Sequence, residues 1–387
     1  MHVPRTERAE TLRILFAVTV PITARAVLRG QLSYLAEHGH EVHLATSVGD
    51  PFADEADAAI TMRHVVPFSR RFLDPIRDLR AAVGMFGLVR RVRPDLIVVG
   101  TPKAGIICAF VARLVGIPCL YILHGLRLEG AQGLPRAVMW LAERTTCALS
   151  TQVVAVGEQL RSTAIRLRLV SAARSSVAGH GSANGLNVQR FRPLDVDQQR
   201  DAKARLGLAP HGLVVGFVGR LTPDKGLSVI RTAWARVCVE DPEATLIMVG
   251  GVDSAVTTDL VPNGMGHLDR VVWAGEVINP EQYLQVMDVL ILPSKREGLP
   301  TVVLEAAACG VPTVMSDITG ARDAVAHGDT GILLRSTERG ELAEAILRFR
   351  DEAYRRRLGD AARERALRLY EQTGVWRAYE RAYQQMV

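Results

Sequence analysis

Along the first half of the chain, short apolar runs alternate with stretches whose apolar residues recur every three or four positions. Leu12 to Val18 is a strand-like run, and Ala26 to His38 carries Val27, Leu28, Leu32 and Leu35 at helical spacing and stops at Gly39. Glu41 to Thr46 returns to a strand. Leu96 to Val99 is a buried-type strand, followed by the loop Thr101-Pro102-Lys103-Ala104-Gly105, a helix from Ile106 to Val115 that stops at Gly116, and a strand from Pro118 to Leu123. Strand, helix and strand of these lengths make a βαβ unit, which builds parallel sheets with helices on both faces.

The second half repeats the plan. Strands are expected at Leu213–Val218, Thr245–Val249, Arg270–Trp273, Val289–Leu292, Thr313–Met315 and Gly331–Leu334, with a helix from Leu227 to about Val237. The patterns lapse near Arg192-Pro193-Leu194, which divides the chain into domains 1–192 and 193–365. The tail from Glu341 to Tyr383 is helical, and its last piece, 366–387, is placed to cross back to the first domain. The fold class is α/β: two Rossmann-like, doubly wound parallel-sheet domains facing across a cleft. Ligands of such sheets collect outside the carboxyl ends of the strands, so the strand-end loops are the candidate ligand loops.

Composition narrows the function classes. The 387 residues, 48% hydrophobic and 23% charged, exclude a single small module, a disordered chain and a coiled coil. No run reaches the roughly 18 to 20 apolar residues that span a bilayer, and the N-terminus carries no export signal. Cys108, Cys119, Cys147, Cys238 and Cys309 are odd in number and widely spaced, which suits reduced core cysteines in a cytoplasmic protein rather than disulfides or zinc ligands. Residues 1–190 hold 23 Lys+Arg against 14 Asp+Glu, whereas 191–387 hold 24 against 27, so the basic excess lies in the first domain.

That excess concentrates in segment 61–93, where Arg63, Arg70, Arg71, Arg77, Arg80, Arg90, Arg91 and Arg93 interleave with Phe68, Phe72, Leu79, Met85 and Phe86. The pattern fits an anionic membrane surface, with a solvated helix face as the plain alternative. Nucleic acid is not expected as a partner: no recognisable binding motif is present and aromatics are only 5%.

Four loops carry candidate chemistry. Pro293-Ser294-Lys295-Arg296-Glu297-Gly298-Leu299-Pro300 leaves a buried strand and enters a small-residue helix, placing Glu297 before the helix and Glu305 near its second turn. The free N–H groups of that helix end suit a phosphate, and the two carboxylates suit sugar and ribose hydroxyls. Read alone, Glu305 is equally an ordinary surface residue and Glu297 a partner of the helix dipole. Gly219-Arg220 through Lys225-Gly226 offers a planar fork and a point charge for a diphosphate, in a chain with only four lysines, although two solvated loop cations are the simpler reading. His124 follows an apolar strand and precedes Gly125, where it faces the cleft or serves the core. His180-Gly181-Ser182-Ala183-Asn184-Gly185 is a polar turn that forms an anion nest or a plain loop. Asp195-Val196-Asp197 resembles a metal pattern, but a cap for the helix Gln198–Leu206 explains it better.

Taken together, these residues resemble the retaining glycosyltransferase family 4 of GT-B fold. Glu297 and Glu305 match its E-x7-E motif, and Gly219-Arg220 with Lys225-Gly226 match its donor-diphosphate loop. Thr101 to Gly105, His124-Gly125-Leu126-Arg127-Leu128-Glu129 and Gly181 to Gly185 look like the subgroup that builds bacterial capsule, exopolysaccharide and related lipid-linked glycans.

The resemblance implies transfer of a sugar from a nucleotide sugar, a UDP-sugar above others, with retention and with neither metal nor further cofactor. Gly219, Arg220, Lys225, Glu297, Gly298, Leu299 and Glu305 would bind the donor, and His124 with Glu297 would serve the reacting sugar. Lys103, Arg127, Glu129, Ser182 and Asn184 would lie on the acceptor side. The acceptor would be a sugar on an undecaprenyl-diphosphate carrier, met at the inner face of the plasma membrane, where the enzyme would be a peripheral cytoplasmic protein. Two departures stand out: Thr19 to Ala24 lacks the paired glycines many members carry there, and Leu186-Asn187 stands where the subgroup has Val-Asp. The rival readings are the same fold acting on a soluble acceptor, an epimerase or phosphorylase, and a catalytically silent scaffold of a polysaccharide assembly complex.

Overall fold

The computed structural model describes residues 11–49, 62–69, 74–209, 211–253, 270–336 and 340–387. Arg70, Arg71 and Phe72 of the Arg-rich segment lie outside the described residues. The first lobe holds strands β1 (Arg13–Ala17), β2 (Glu41–Thr46), β3 (Met62–Val65), β4 (Leu96–Val99), β5 (Cys119–Leu123), β6 (Gln152–Ala155) and β7 (Ser175–Val177). They form one parallel sheet in the order β3-β2-β1-β4-β5-β6-β7. Its helices are α1 (Pro21–Leu28), α2 (Gln31–Glu37), α3 (Pro75–Val92), α4 (Pro102–Val115), α5 (Gly133–Leu149) and α6 (Glu158–Arg166).

The second lobe holds α7 (Val196–Arg205), β8 (Val214–Val218), α8 (Leu227–Glu240), β9 (Thr245–Val249), β10 (Val271–Gly275), α9 (Glu281–Leu284), β11 (Val289–Leu292), α10 (Thr301–Ala308), β12 (Thr313–Ser316), α11 (Ala321–Ala324), β13 (Gly331–Leu334), α12 (Glu341–Leu347) and α13 (Glu352–Tyr370). Its parallel sheet runs β10-β9-β8-β11-β12-β13. The central strands are buried along their whole length: Leu96–Val99 and Val289–Leu292 expose no residue. Burial on both faces is why they read as continuous apolar runs. Two parallel sheets, each sandwiched by helices, are the architecture expected from the alternating pattern.

Three local differences have clear causes. The single helix expected over Ala26–His38 is broken at Gly30, whose φ of 78° is left-handed. The break admits Trp376 from the final helix α14 (Gln372–Gln384): a Cβ on Gly30 would lie 2.7 Å from its ring. The helix expected from Ile106 begins at Pro102, with Thr101 as its cap residue, so Lys103 and Gly105 are helical. Proline's fixed φ suits the first helical position. Strands β3, β6 and β7 were not foreseen: Met62–Val65 and Ser175–Val177 carry polar residues and occupy the two edges, and the short run Gln152–Ala155 opens on a polar residue. Asp195 does cap α7, its Oδ1 accepting from the Gln198 N–H at 2.8 Å. All five cysteines are free thiols, four of them buried.

The lobes are joined twice, side by side. Leu186 donates its N–H to the Tyr370 carbonyl at 2.8 Å and accepts from Gln372 at 3.1 Å, so the outgoing linker pairs with the returning chain at Glu371. The final helix α14 then packs on the first lobe, where Glu380 takes the Tyr34 hydroxyl at 2.9 Å and meets His40 Nε2 at 3.1 Å. Tyr379 donates to the Ser182 carbonyl at 2.9 Å.

Candidate active site at the lobe interface

The carboxyl ends of both sheets face one another across the cleft. There His124 and Gly125, from the end of β5, meet Arg220, Thr222, Asp224 and Lys225 from the end of β8, and Arg296, Glu297 and Gly298 from the end of β11. They line a cavity of about 450 Å³. The lobes touch at its floor: a Cβ on Gly298 would come within 1.8 Å of the His124 carbonyl oxygen, so only glycine lets the two loops pass. Glu129 joins the same seam, its Oε1 accepting from the Thr319 hydroxyl at 2.5 Å. A second clasp runs from the Gln159 N–H to Asp323 at 2.9 Å and from the Arg322 N–H back to Gln159 at 3.2 Å.

Each cation facing this cavity has a carboxylate partner. Lys225 Nζ lies 2.6 Å from Glu297 Oε1, Arg296 lies 2.7 Å from Asp224, and Arg220 lies 3.5 Å from Asp253. Burial works against charge on Asp224, but the Thr222 hydroxyl and the Arg296 guanidinium outweigh it and hold the carboxyl below its usual range. Asp224, Asp253 and Arg296 were not singled out in the sequence. Arg296 and Asp224 stand inside the two quoted loops, whereas Asp253 is distinguished only by following β9. An incoming anion therefore competes with preformed pairs, and each pair it breaks leaves a carboxylate free to accept hydroxyls.

His124 is neutral. Burial lowers its pKa to about 4, and its Nε2 is turned inward against Gly100 with no hydrogen-bond partner. That leaves Nδ1 as the ring nitrogen for the cavity. Leu299 is buried beside the cavity rather than lining it, and anchors the loop that leads into α10.

Glu305 opens elsewhere. On the second turn of α10, it lines a separate cavity of about 570 Å³ with Arg25, Arg29, Asn184, Arg190, Thr301 and Trp376. Desolvation pushes its carboxyl up to about 7, Glu281 adds to the rise and Arg190 opposes it. Arg190 is already committed to Glu281 at 2.8 Å and to the Ile278 carbonyl at 2.9 Å. The two glutamates of the motif thus flank the N-terminal end of α10 from different cavities.

The remaining candidates are dispersed. Lys103 pairs with Asp78 at 2.9 Å and lines neither cavity. Arg127 is exposed on the turn Arg127–Gly130. Ser182 is buried, and its hydroxyl accepts from the Gly185 N–H at 3.0 Å. Asn184 spans Trp376 Nε1 and the Arg29 carbonyl, both at 2.8 Å. Among the described residues, no group of three or more His, Cys, Asp or Glu is arranged to hold a metal ion.

Comparison with known proteins supplies the family context. Residues 23–181 match the "Glycosyl transferase 4-like domain" model and residues 212–352 match "Glycosyl transferases group 1". The capsular polysaccharide biosynthesis glycosyltransferase CapM of Staphylococcus aureus is 28% identical over 365 residues, 92% of this chain and 93% of that protein. The UDP-Gal:alpha-D-GlcNAc-diphosphoundecaprenol alpha-1,3-galactosyltransferase of Escherichia coli is 25% identical, covering 83% of each chain. Among solved structures, Anabaena HepE in complex with UDP and glucose superposes with a TM-score of 0.77 at 21% identity, over 96% of this chain and 99% of that one.

Proposed function

The chain belongs to the glycosyltransferases of family 4 with GT-B fold, and from that premise we propose that it moves a sugar, with retention, from a UDP-sugar to a sugar on a polyprenyl-diphosphate carrier. The observation that carries this reading is the interlobe cavity in which Arg220, Lys225, Arg296, Glu297 and His124 meet. The S. aureus relative is named for capsule biosynthesis and the E. coli relative for a diphosphoundecaprenol-linked acceptor, which supports the same acceptor class here.

The chemistry follows from the pairs. A donor diphosphate draws the Lys225 ammonium away from Glu297, and Arg220 forks onto its oxygens. Glu297, released, accepts hydroxyls of the donor sugar. The first N–H groups of α10 point at the leaving phosphate, and Glu305 accepts ribose hydroxyls from the far side of the helix end. As the anomeric C–O bond breaks, negative charge grows on the phosphate, and fixed cations and N–H groups stabilise that charge more than the ground state. The acceptor hydroxyl attacks on the face the phosphate leaves, and a phosphate oxygen takes its proton. The anomeric configuration is thereby kept without a protein nucleophile. His124, neutral at Nδ1, offers the sugar a hydrogen bond without adding charge.

A thermal-shift screen of UDP-, GDP- and ADP-sugars is expected to stabilise the protein with the UDP series alone. NMR of the product is expected to show the donor's anomeric configuration, and chelator is expected to leave the rate unchanged. Inversion, or equal turnover with a free monosaccharide acceptor, would overturn the reading.

A further inference from the structure

Two helix N-termini meet across the seam between the lobes, and neither caps itself. Helix α6 follows Gly157 and α11 follows Gly320, so no side chain stands at either cap position. The first N–H groups of a helix have no partner within it. Here each helix serves the other: Asp323 of α11 accepts the Gln159 N–H at 2.9 Å, and the Gln159 side chain accepts the Arg322 N–H at 3.2 Å. These are the reciprocal bonds of a capping box, split between two lobes. A Cβ on Gly157 would fall 2.4 Å from Asp323 Oδ2, and the three atoms nearest to it all belong to Asp323.

Both sides of this contact are anchored in their own lobe. Ahead of α6, the Val156 carbonyl accepts the Ser182 N–H at 2.7 Å. In the second lobe, the Arg322 guanidinium grips Asp317 at 2.7 and 2.9 Å, and the Asp323 carbonyl accepts from the Tyr370 hydroxyl at 2.7 Å and from Arg365 at 3.0 Å. A shift at Gln159 is therefore passed to segment 317–323 as a unit. That segment bears on the cavity floor: Thr319 meets Glu129 of the first lobe, and a Cβ on Gly320 would fall 1.6 Å from the Gly298 carbonyl oxygen. On its other side Gly298 touches the His124–Gly125 turn. The Gly298 peptide is thus clamped between the first lobe and a strap that the first lobe holds.

We infer that Gln159 and Asp323 are positioning residues for the transfer reaction: their reciprocal cap locks the lobes together and fixes the Gly298 peptide, and with it the N–H groups at the start of α10, against the departing phosphate. The role at the phosphate rests on the donor site proposed above, whereas the lock does not. Neither residue lines the cavity, so the donor is bound without them. Their effect falls on the transition state, whose growing charge must be met by N–H groups already in place.

Gly157→Ala is the sharpest probe. Gly157 has a φ of −168°, extended backbone that alanine adopts, so the added methyl displaces the Asp323 carboxylate and leaves the first lobe intact. Small-angle X-ray scattering of the ligand-free full chain is expected to show a larger radius of gyration in Gly157→Ala and in Asp323→Ala than in the wild type. In both variants kcat is expected to fall roughly tenfold, the scale of one lost cap, with UDP affinity by titration calorimetry unchanged. Asp323→Asn, which keeps an oxygen for the Gln159 N–H, is expected to restore dimensions and turnover. Because both substitutions remove one contact, Gly157→Ala with Asp323→Ala is expected to lose no more than either alone. Wild-type dimensions or wild-type turnover in Gly157→Ala, an Asp323→Asn variant as slow as Asp323→Ala, losses that multiply in the pair, or UDP affinity falling as far as kcat would each overturn the inference. Opening of the variants alongside a wild type that transfers no sugar from UDP donors would sink the donor reading and leave the lock standing; full transfer by every variant would do the reverse.

Discussion

The two walls of the cleft hold their candidate residues in different ways. On the second lobe, Arg220, Lys225, Glu297 and Gly298 leave the ends of adjacent strands β8 and β11 and converge on one cavity. On the first lobe, of the candidates named from the sequence only His124 reaches that cavity, while Lys103, Ser182 and Asn184 are held by their own lobe or by α14. A diphosphate is small and always charged, so the groups that hold it must meet at a point. An acceptor of variable shape imposes no such convergence. On the proposed reading, the second lobe would supply the charge and the first would select the acceptor.

Breaking the Lys225–Glu297 pair tests that contrast most severely. Lys225→Ala removes one of the cations lining the cavity and strands Glu297, whose Oε1 meets that ammonium at 2.6 Å. By the scale of lost oxyanion donors, kcat/KM is expected to fall roughly 10²–10³-fold, about 2.7–4 kcal/mol. UDP affinity by titration calorimetry is expected to fall with it. Because the two side chains are coupled, Lys225→Ala with Glu297→Gln is expected to cost less than the product of the single losses. Normal UDP affinity in Lys225→Ala would remove the diphosphate assignment.

Glu305 gives the next largest effect and a distinctive pH signature. Its folded carboxyl titrates near 7, above the roughly 4.3 of an unfolded glutamate. Between those values the folded state holds the extra proton, so this group's contribution to stability falls as pH rises from about 4.3 towards 7. Ribose hydroxyls bind the ionised form, so nucleotide affinity is expected to rise through pH 7. Glu305→Gln is expected to flatten both trends and to weaken UDP about tenfold, as loss of a hydrogen bond to a charged group requires. An unchanged affinity profile in that variant would place the ribose elsewhere.

How far the sequence could see follows the same division. Val289–Leu292 and the motif after it were legible because a strand buried on both faces is apolar throughout and its end loop is glycine-marked. The pairing of Lys225 with Glu297 was not, because it joins loops 72 residues apart. Nor was the break at Gly30, which exists to admit a tryptophan 346 residues downstream. Edge strand β3 escaped notice because one neighbour and one covered face tolerate Arg63 and His64 where a central strand would not. Glu305 was placed correctly on its helix turn, but its unusual acidity depends on α1, α2 and the linker closing over it.

His124 is expected to matter through turnover. On the proposed mechanism the ring would contact the reacting sugar rather than the diphosphate, so His124→Ala is expected to lower kcat more than it raises donor KM. With its pKa near 4, the ring stays neutral above about pH 5 and contributes no limb to the pH–rate profile in the neutral range. Its unfolded counterpart takes up a proton near 6.5, so its contribution to stability is present above that value and is lost as pH falls towards 4. Melting temperatures of His124→Asn and wild type should therefore converge on acidification. A bell-shaped profile with a His124-dependent limb near pH 6.5 would show the ring charging in the complex.

The smallest expected effect sharpens the contrast from the other side. Lys103 stands on the first turn of α4 and pairs with Asp78 at 2.9 Å, both side chains partly exposed. Screened pairs of this kind contribute below about 1 kcal/mol, so Lys103→Ala is expected to shift the melting temperature by no more than a few degrees. If the first wall selects by shape, donor KM stays at its wild-type value and acceptor KM moves by less than about threefold, because no charged contact is lost. A tenfold rise in acceptor KM with donor KM unchanged would mean that Lys103 leaves Asp78 for the acceptor's diphosphate. In that case the first wall is electrostatic too, and the division of labour between the lobes lies between two phosphates rather than between charge and shape.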